Sequence, residues 1–312
     1  MSILKKYSEL KSIFGKSADK IHPVTIESKA EKAFEQKDIK NEQIIPQAET
    51  NQEEFVEKIS TRRKYIVLYG KKHTRTFTYF DELNGRYRTI KLHRILAQKN
   101  IDKNVTKGTL GGWVEHEGNL DQDDNCWIYD DAMVFGNAQV LNRAKIKGDA
   151  QVYGNAIAMG WAYITGHAKV RDNAWVCDHG SVGGLAEVSG CALINESACV
   201  YCSAKVCDRA IVSGFAKIGS KATVSDDAQI KGEAYVIGTS TISGNAVIDG
   251  NTEIYKNTQV RDAIITGNTT LSDDVEVFGN VTINPIKRTR FNKTEQIESY
   301  LTRQNREEDI TK

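Results

Sequence analysis

Residues 132–167 read AMVFGN AQVLNR AKIKGD AQVYGN AIAMGW AYITGH, and this stretch decides the fold. Ala recurs at the first place, Val or Ile at the third, and Gly or Asp at the fifth in most of the hexads. The phase holds from Cys126 to Asn257, drops one residue near Asp262, and resumes as AIITGN, TTLSDD, VEVFGN and VTINPI up to Ile286. A repeat of six is too short for a helical unit and fits one wall of a parallel β-helix, three hexads to a coil. Alternate residues of a strand share a face, so the first and third places point into the coil together. Ala132, Ala138, Ala144 and Ala150 supply the small inward residue; Val134, Val140, Ile146 and Val152 supply the bulk. Gly and Asp at the fifth place, and Asn at the sixth, suit the corners, where positive φ is free for Gly and tolerable for Asn or Asp. About 26 hexads give about nine coils, a rod on the order of 40 Å long at ~4.8 Å per coil.

The chain has 312 residues and a formal net charge of +1, so no global field draws it to nucleic acid or to a membrane. No apolar run approaches the ~20 residues of a membrane span, and no signal-peptide core follows Met1. Six cysteines stand at 126, 177, 191, 199, 202 and 207. Cys199 and Cys202 have CxxC spacing, but it falls on a strand and its corner, which predicts reduced thiols and no metal. These features point to a cytoplasmic protein; export without a cleaved signal peptide is the alternative.

Outside the hexads the material changes. Residues 1–60 read as a mostly disordered tail, with a short amphipathic helix over Ile3, Leu4, Tyr7, Leu10, Ile13 and Phe14. Residues 61–121 read as a small β-rich cap. There KYIVLYG, RTFTYF and RYRTIKL alternate as strands, and HRILAQKN reads as one or two helical turns. Such a cap covers an edge strand that would otherwise template other chains. The coil spans 122–286 and is stopped by Asn284-Pro285, since Pro cannot donate to a ladder. Residues 287–312 hold a capped amphipathic helix from Thr294, through Ile297, Tyr300 and Leu301, poised over the last coil.

The segment GTLGGWVEHEGNLDQDDNCWIYDDAMVFGNAQV, Gly108 to Val140, carries a resemblance. Its Leu110-Gly111-Gly112-Trp113-Val114-Glu115 junction, followed by Gly-Asn-Ala-x-Val hexads, resembles a bacterial and phage family of hexapeptide-repeat, left-handed β-helix proteins. The resemblance covers roughly 75–286 and implies the left hand, which physics alone does not give. Such proteins are often labelled acyltransferases, a label that follows the fold and does not fix a function. The expected fold is therefore all-β: a left-handed parallel β-helix with an N-terminal cap and a C-terminal helix.

Steps of 18 sort the outward residues by wall. One wall and its corner carry Leu141, Ile157, Met159, Trp161, Trp175, Leu193, Ile211 and Phe215, an apolar surface that should not face water. A second wall carries Trp127, Tyr129, Tyr163, Tyr201, Tyr235 and Tyr255; the third is mostly polar. Asn137, Asn155 and Asn173 should stack as an amide ladder. The residues read first as a non-catalytic scaffold or protein-interaction module, self-associating or docking a partner protein through the apolar wall, with no cofactor. The alternative is an acyl-CoA-dependent O- or N-acyltransferase. Hexapeptide enzymes of that kind use a His base, and here His167, one coil above Asp149, or His179, beside Trp161, would serve. No hexad is interrupted by a long loop, and both histidines fall where a polar corner residue belongs, which favours the non-catalytic reading. A second alternative makes the tail of an exported protein a signal-less secretion segment.

Overall fold

The computed structural model describes residues 63–310 except Leu83, with backbone only for 305–310. The readings made for residues 1–62, the amphipathic helix and the tail, lie outside the described residues.

Two-residue strands recur every hexad and form three parallel sheets, one per wall. Sheet A contains Met133–Val134 and Gln151–Val152, sheet C contains Gln139–Val140 and Ile157–Ala158, and sheet D contains Lys145–Ile146 and Tyr163–Ile164. Sheet C has nine strands and sheet D ten, which makes about ten coils. Register is +18 throughout most of the rod, as in Ile157↔Trp175 and Tyr163↔Ser181. It falls to +17 at Val247↔Ile264 and Glu253↔Thr270, where the residue near Asp262 is missing. The inward Ala and Val/Ile columns are wholly buried, from Ala132 and Val134 to Ile265.

Where the Ala column turns polar, the hydroxyl is satisfied locally. Ser240 donates to the Ile237 carbonyl (2.8 Å), Thr252 to Asp249 (2.7 Å), Thr258 to Tyr255 (2.9 Å) and Thr269 to Thr266 (2.7 Å). These groups are buried, and an unmade bond there would carry a desolvation cost of about 1–3 kcal/mol.

The corners have a second device. Fifth-place residues take positive φ, Gly136 at 66° and Asp172 at 62° among them. At several corners where that residue is acidic, its carboxylate accepts the backbone N–H one coil on. Asp130 accepts from Gly148 (3.0 Å), Asp172 from Gly190 (3.0 Å), Glu196 from Gly214 (2.8 Å) and Asp226 from Gly244 (2.8 Å). The expected amide ladder is present beside it: Asn137 donates to Asn155 (3.1 Å) and Asn155 to Asn173 (3.2 Å).

The N-terminal strands are β1 (Tyr65–Leu68), β2 (Thr74–Asp81), β3 (Arg86–Ala97) and β4 (Leu110–Val114). β3 pairs antiparallel with β1, β2 and β4, and β4 then pairs parallel with Met133–Val134 as the first strand of sheet A. HRILAQKN is thus not helical at its start: His93–Ala97 continues β3, because β1 and β4 offer backbone partners on both edges. Gly111 and Gly112 let β4 seat on the coil. A Cβ at Gly112 would lie 2.4 Å from Ile128 Cγ2 and 2.6 Å from the Ala132 carbonyl. Next to them Trp113 is held between the guanidinium groups of Arg75 and Arg94, 4.2 and 4.3 Å from the ring centre, and its indole N–H donates to Asp131 (3.0 Å).

Lys64, fully buried, closes the open turn: its Nζ donates to the carbonyls of Asp123 (3.0 Å) and Cys126 (3.1 Å). The β2–β3 hairpin lies against sheet A, where Phe77 and Tyr79 pack on Phe135, and Tyr79 on Tyr153. At the far end Pro285 does not end the coil; Thr289–Phe291 adds one more strand to sheet D. Helix α1 (Thr294–Ile310) follows, with Ile297 buried and Tyr300 edge-on to Phe291. Thr294 turns its hydroxyl oxygen to the coil, accepting the Glu276 N–H (3.2 Å). No helix among the described residues is long and apolar enough to cross a membrane.

Candidate functional site

His167 and Asp149 occupy the same corner on successive coils. Gly166, at φ 72°, turns the chain there, and the main chain fixes both residues: Asp149 N–H donates to the Gly166 carbonyl (2.8 Å) and His167 N–H to Gly184 (2.7 Å). Nδ1 of His167 lies 3.5 Å from Oδ2 of Asp149, and both side chains are more than half exposed, at 65 and 57%. A carboxylate on the Nδ1 side orients an imidazole and leaves Nε2 to exchange a proton, with contacts that tighten when a substrate binds. His179 sits elsewhere, at the corner between sheets C and D. Its ring is parallel to Trp161 at 6.0 Å, and Arg143 lies over the same indole at 4.6 Å. The structure therefore brings His167 to a carboxylate and His179 to an exposed aromatic stack.

The apolar wall divides in two. Ile157, Trp175, Leu193 and Ile211 pair in one column of sheet C, each flanked by the next coil's equivalent, and are only 4, 4, 5 and 7% exposed. Beside them Cys177, Asn195 and Ser213 are buried too, and Asn195 Oδ1 has no hydrogen-bond partner among the described residues. Leu141 and Met159 are half-buried. At the corner, Trp161 and Phe215 are exposed. All six cysteines are free thiols. Burial pushes Cys177 up, and burial with the Asp208 contact pushes Cys207 up to about 12, so neither supplies a thiolate near neutrality.

The Tyr wall holds features that the sequence reading passed over. A groove of about 790 Å³ follows the corner into sheet D, lined by Tyr201, Phe215, Lys217, Glu233, Tyr235 and Glu253 among others. A second, of about 490 Å³, continues past Glu253 to Tyr255, Arg288 and Arg290. Tyr201 and Tyr235 share a hydroxyl–hydroxyl bond (3.0 Å), Tyr235 stands edge-on to Tyr255, and Arg288 pairs with Glu253 (2.8 Å). The signal that could have found it is Gly219, 18 residues after Tyr201, where a side chain is missing from the wall. A second missed cluster is Arg171, which binds Glu187 (2.7 Å), Asp172 (2.9 Å) and, from the β2–β3 turn, Glu82 (2.6 Å).

No family model matches the chain. Over 60 residues the chain is 37% identical to "Uncharacterized acetyltransferase YdcK" of Escherichia coli (strain K12), a stretch that covers 19% of this chain and 18% of that protein. Together, the coil and this similarity fit a hexapeptide-repeat β-helix with an acetyltransferase-like relative.

Proposed function

We propose that the chain is an acyl-CoA-dependent O- or N-acyltransferase of the hexapeptide-repeat type, with His167 as general base and Asp149 as its orienting carboxylate. The similarity to an acetyltransferase carries this reading, and the carboxylate set beside His167 supports the choice of base. In the reaction His167 Nε2 takes the proton of an acceptor hydroxyl or amine while the acceptor's lone pair attacks the thioester carbonyl carbon. The C–S bond breaks, and the imidazolium returns its proton to the leaving thiolate. Asp149, on the Nδ1 side of the ring, orients the imidazole so that Nε2 faces the acceptor. Release of free thiol from acetyl-CoA in the presence of hydroxyl and amine acceptors tests the reading. His167→Ala should lower turnover by about 10²–10⁴-fold, with unchanged melting, because the side chain is exposed. Equal turnover in wild type and variant contradicts the assignment of the base, and no turnover by the wild type contradicts the reaction.

The non-catalytic reading keeps one observation in its favour. At the corner beside the buried column, Trp161 and Phe215 stand 51 and 63% exposed, apolar side chains that a protein partner would cover.

A further inference from the structure

Neither the His167–Asp149 pair nor the apolar column lines the groove on the Tyr wall. We propose that this groove binds a neutral saccharide chain lying lengthwise along the rod, independently of any acyl transfer. Its floor and rim are aromatic. Tyr201 and Tyr235 meet through their hydroxyls, and Phe215 stands 63% exposed at the edge. Gly219 makes that floor. A Cβ there would fall 2.4 Å from Cζ of Tyr201, so glycine is what allows the Tyr201 ring to lie down against the wall. Between the rings stand Lys217, Glu233 and Glu253, the last already bound by Arg288.

The interleaving selects the ligand class. A nucleic acid strand would use the rings, but it would also have to accept two carboxylates against its phosphates, and such sites are built from unopposed cations. An apolar helix would leave Lys217 and Glu233 desolvated without partners. A sugar satisfies both kinds of group, since its C–H face stacks on an aromatic ring while its hydroxyls pair with carboxylate, ammonium and amide. The charges at Lys217 and Glu233 offset each other, which favours a neutral chain. The lining runs from Ser197 to Asn251, three coils on, or about 14 Å at the strand spacing. That length suits an oligosaccharide better than a single ring.

The test is calorimetric titration of the full chain, without acyl-CoA, using β-1,4-linked hexasaccharides of glucose and of N-acetylglucosamine. An oligouronate of equal length is the anionic arm. At least one neutral hexasaccharide should bind with a Kd of about 1 mM or tighter. Phe215→Ala should weaken it about tenfold, and Gly219→Ala should weaken it comparably by lifting the Tyr201 ring. Both variants should melt with the wild type, because Phe215 is exposed and a displaced tyrosine ring swings at its far end. His167→Ala should bind as the wild type does. Failure of both neutral chains to bind overturns the proposal. So does binding that both variants leave within twofold of wild type, or binding confined to the oligouronate.

Discussion

The carboxylate ladder at the corners can be weighed against the backbone conformation at the same position. Asp226 serves best, since its side chain accepts the Gly244 N–H at 2.8 Å while its own N–H donates to Asp208 at 3.2 Å. Its φ is 58°, in the left-handed region. Asp226→Asn keeps an acceptor and tolerates that φ, so it should cost under about 0.5 kcal/mol. Asp226→Gly loses the acceptor and keeps the conformation, a loss of about 1 kcal/mol for an exposed hydrogen bond. Asp226→Ala loses the bond and adds the left-handed penalty of about 1–2 kcal/mol, for a total near 2–3 kcal/mol. At about 2–4 °C per kcal/mol for a body of this size, Gly should lower Tm by about 2–4 °C and Ala by about 4–12 °C. Thermal unfolding followed by far-ultraviolet circular dichroism resolves these steps. A glycine variant as stable as wild type would show that the ladder contributes nothing. An alanine variant equal to the glycine one would show that the corner conformation carries no strain.

Further outcomes follow from the same geometry. Val152→Asp or Ile164→Asp buries an unpaired charge among Ala and Val layers and should abolish the cooperative melt; retained β-structure with wild-type melting would remove the inward assignment. Asp102 is partly buried, which opposes ionisation, yet Lys145, the Asn104 N–H and Tyr129 hold its carboxyl down at about 2. A depressed carboxylate stabilises above its unfolded value near 3.9 and loses that contribution as pH falls through about 2. The Tm gap between wild type and Asp102→Asn should therefore be full at pH 5 and close towards pH 2, and a gap independent of pH would refute the linkage. Trp175→Glu with Leu193→Glu places two carboxylates on the buried outward column and should lower stability or change the mass seen by light scattering. If neither stability nor mass moves, burial of this column contributes nothing to the fold or its assembly.

The coil was legible because its constraint is periodic. Ala132 and Val134 state the inward pair once, and most later hexads repeat it, so even the lost residue near Asp262 shows as a phase slip. Spacing by 18 likewise brought His167 to Asp149 and Asn137 to Asn155 without coordinates. What escaped were features made by departures from the repeat. His93–Ala97 has helical composition, but two neighbouring strands, β1 and β4, claim its backbone, and pairing overrides propensity. The corner carboxylates looked like turn formers; that Asp172 also holds the next coil's Gly190 depends on side-chain reach, which composition does not encode. Tyr201 and Tyr235 were placed on their wall, yet the groove depends on the missing side chain at Gly219. The β2–β3 hairpin itself was legible in RTFTYF, LNG and RYRTIKL; its docking on Phe135 and Tyr153 was hidden, because outward aromatics on a coil do not say what covers them.

Acetyl-CoA binding is the most direct test of acyl transfer. A ligand that binds only the folded chain adds about 2.7 kcal/mol at a hundredfold excess over its Kd, which corresponds to about 5–11 °C in Tm for a body of this size. A rise of that order that grows with the logarithm of acetyl-CoA concentration, matched by thiol release that disappears in His167→Ala, is the predicted result; no rise at any acetyl-CoA concentration, with no thiol released, would contradict it.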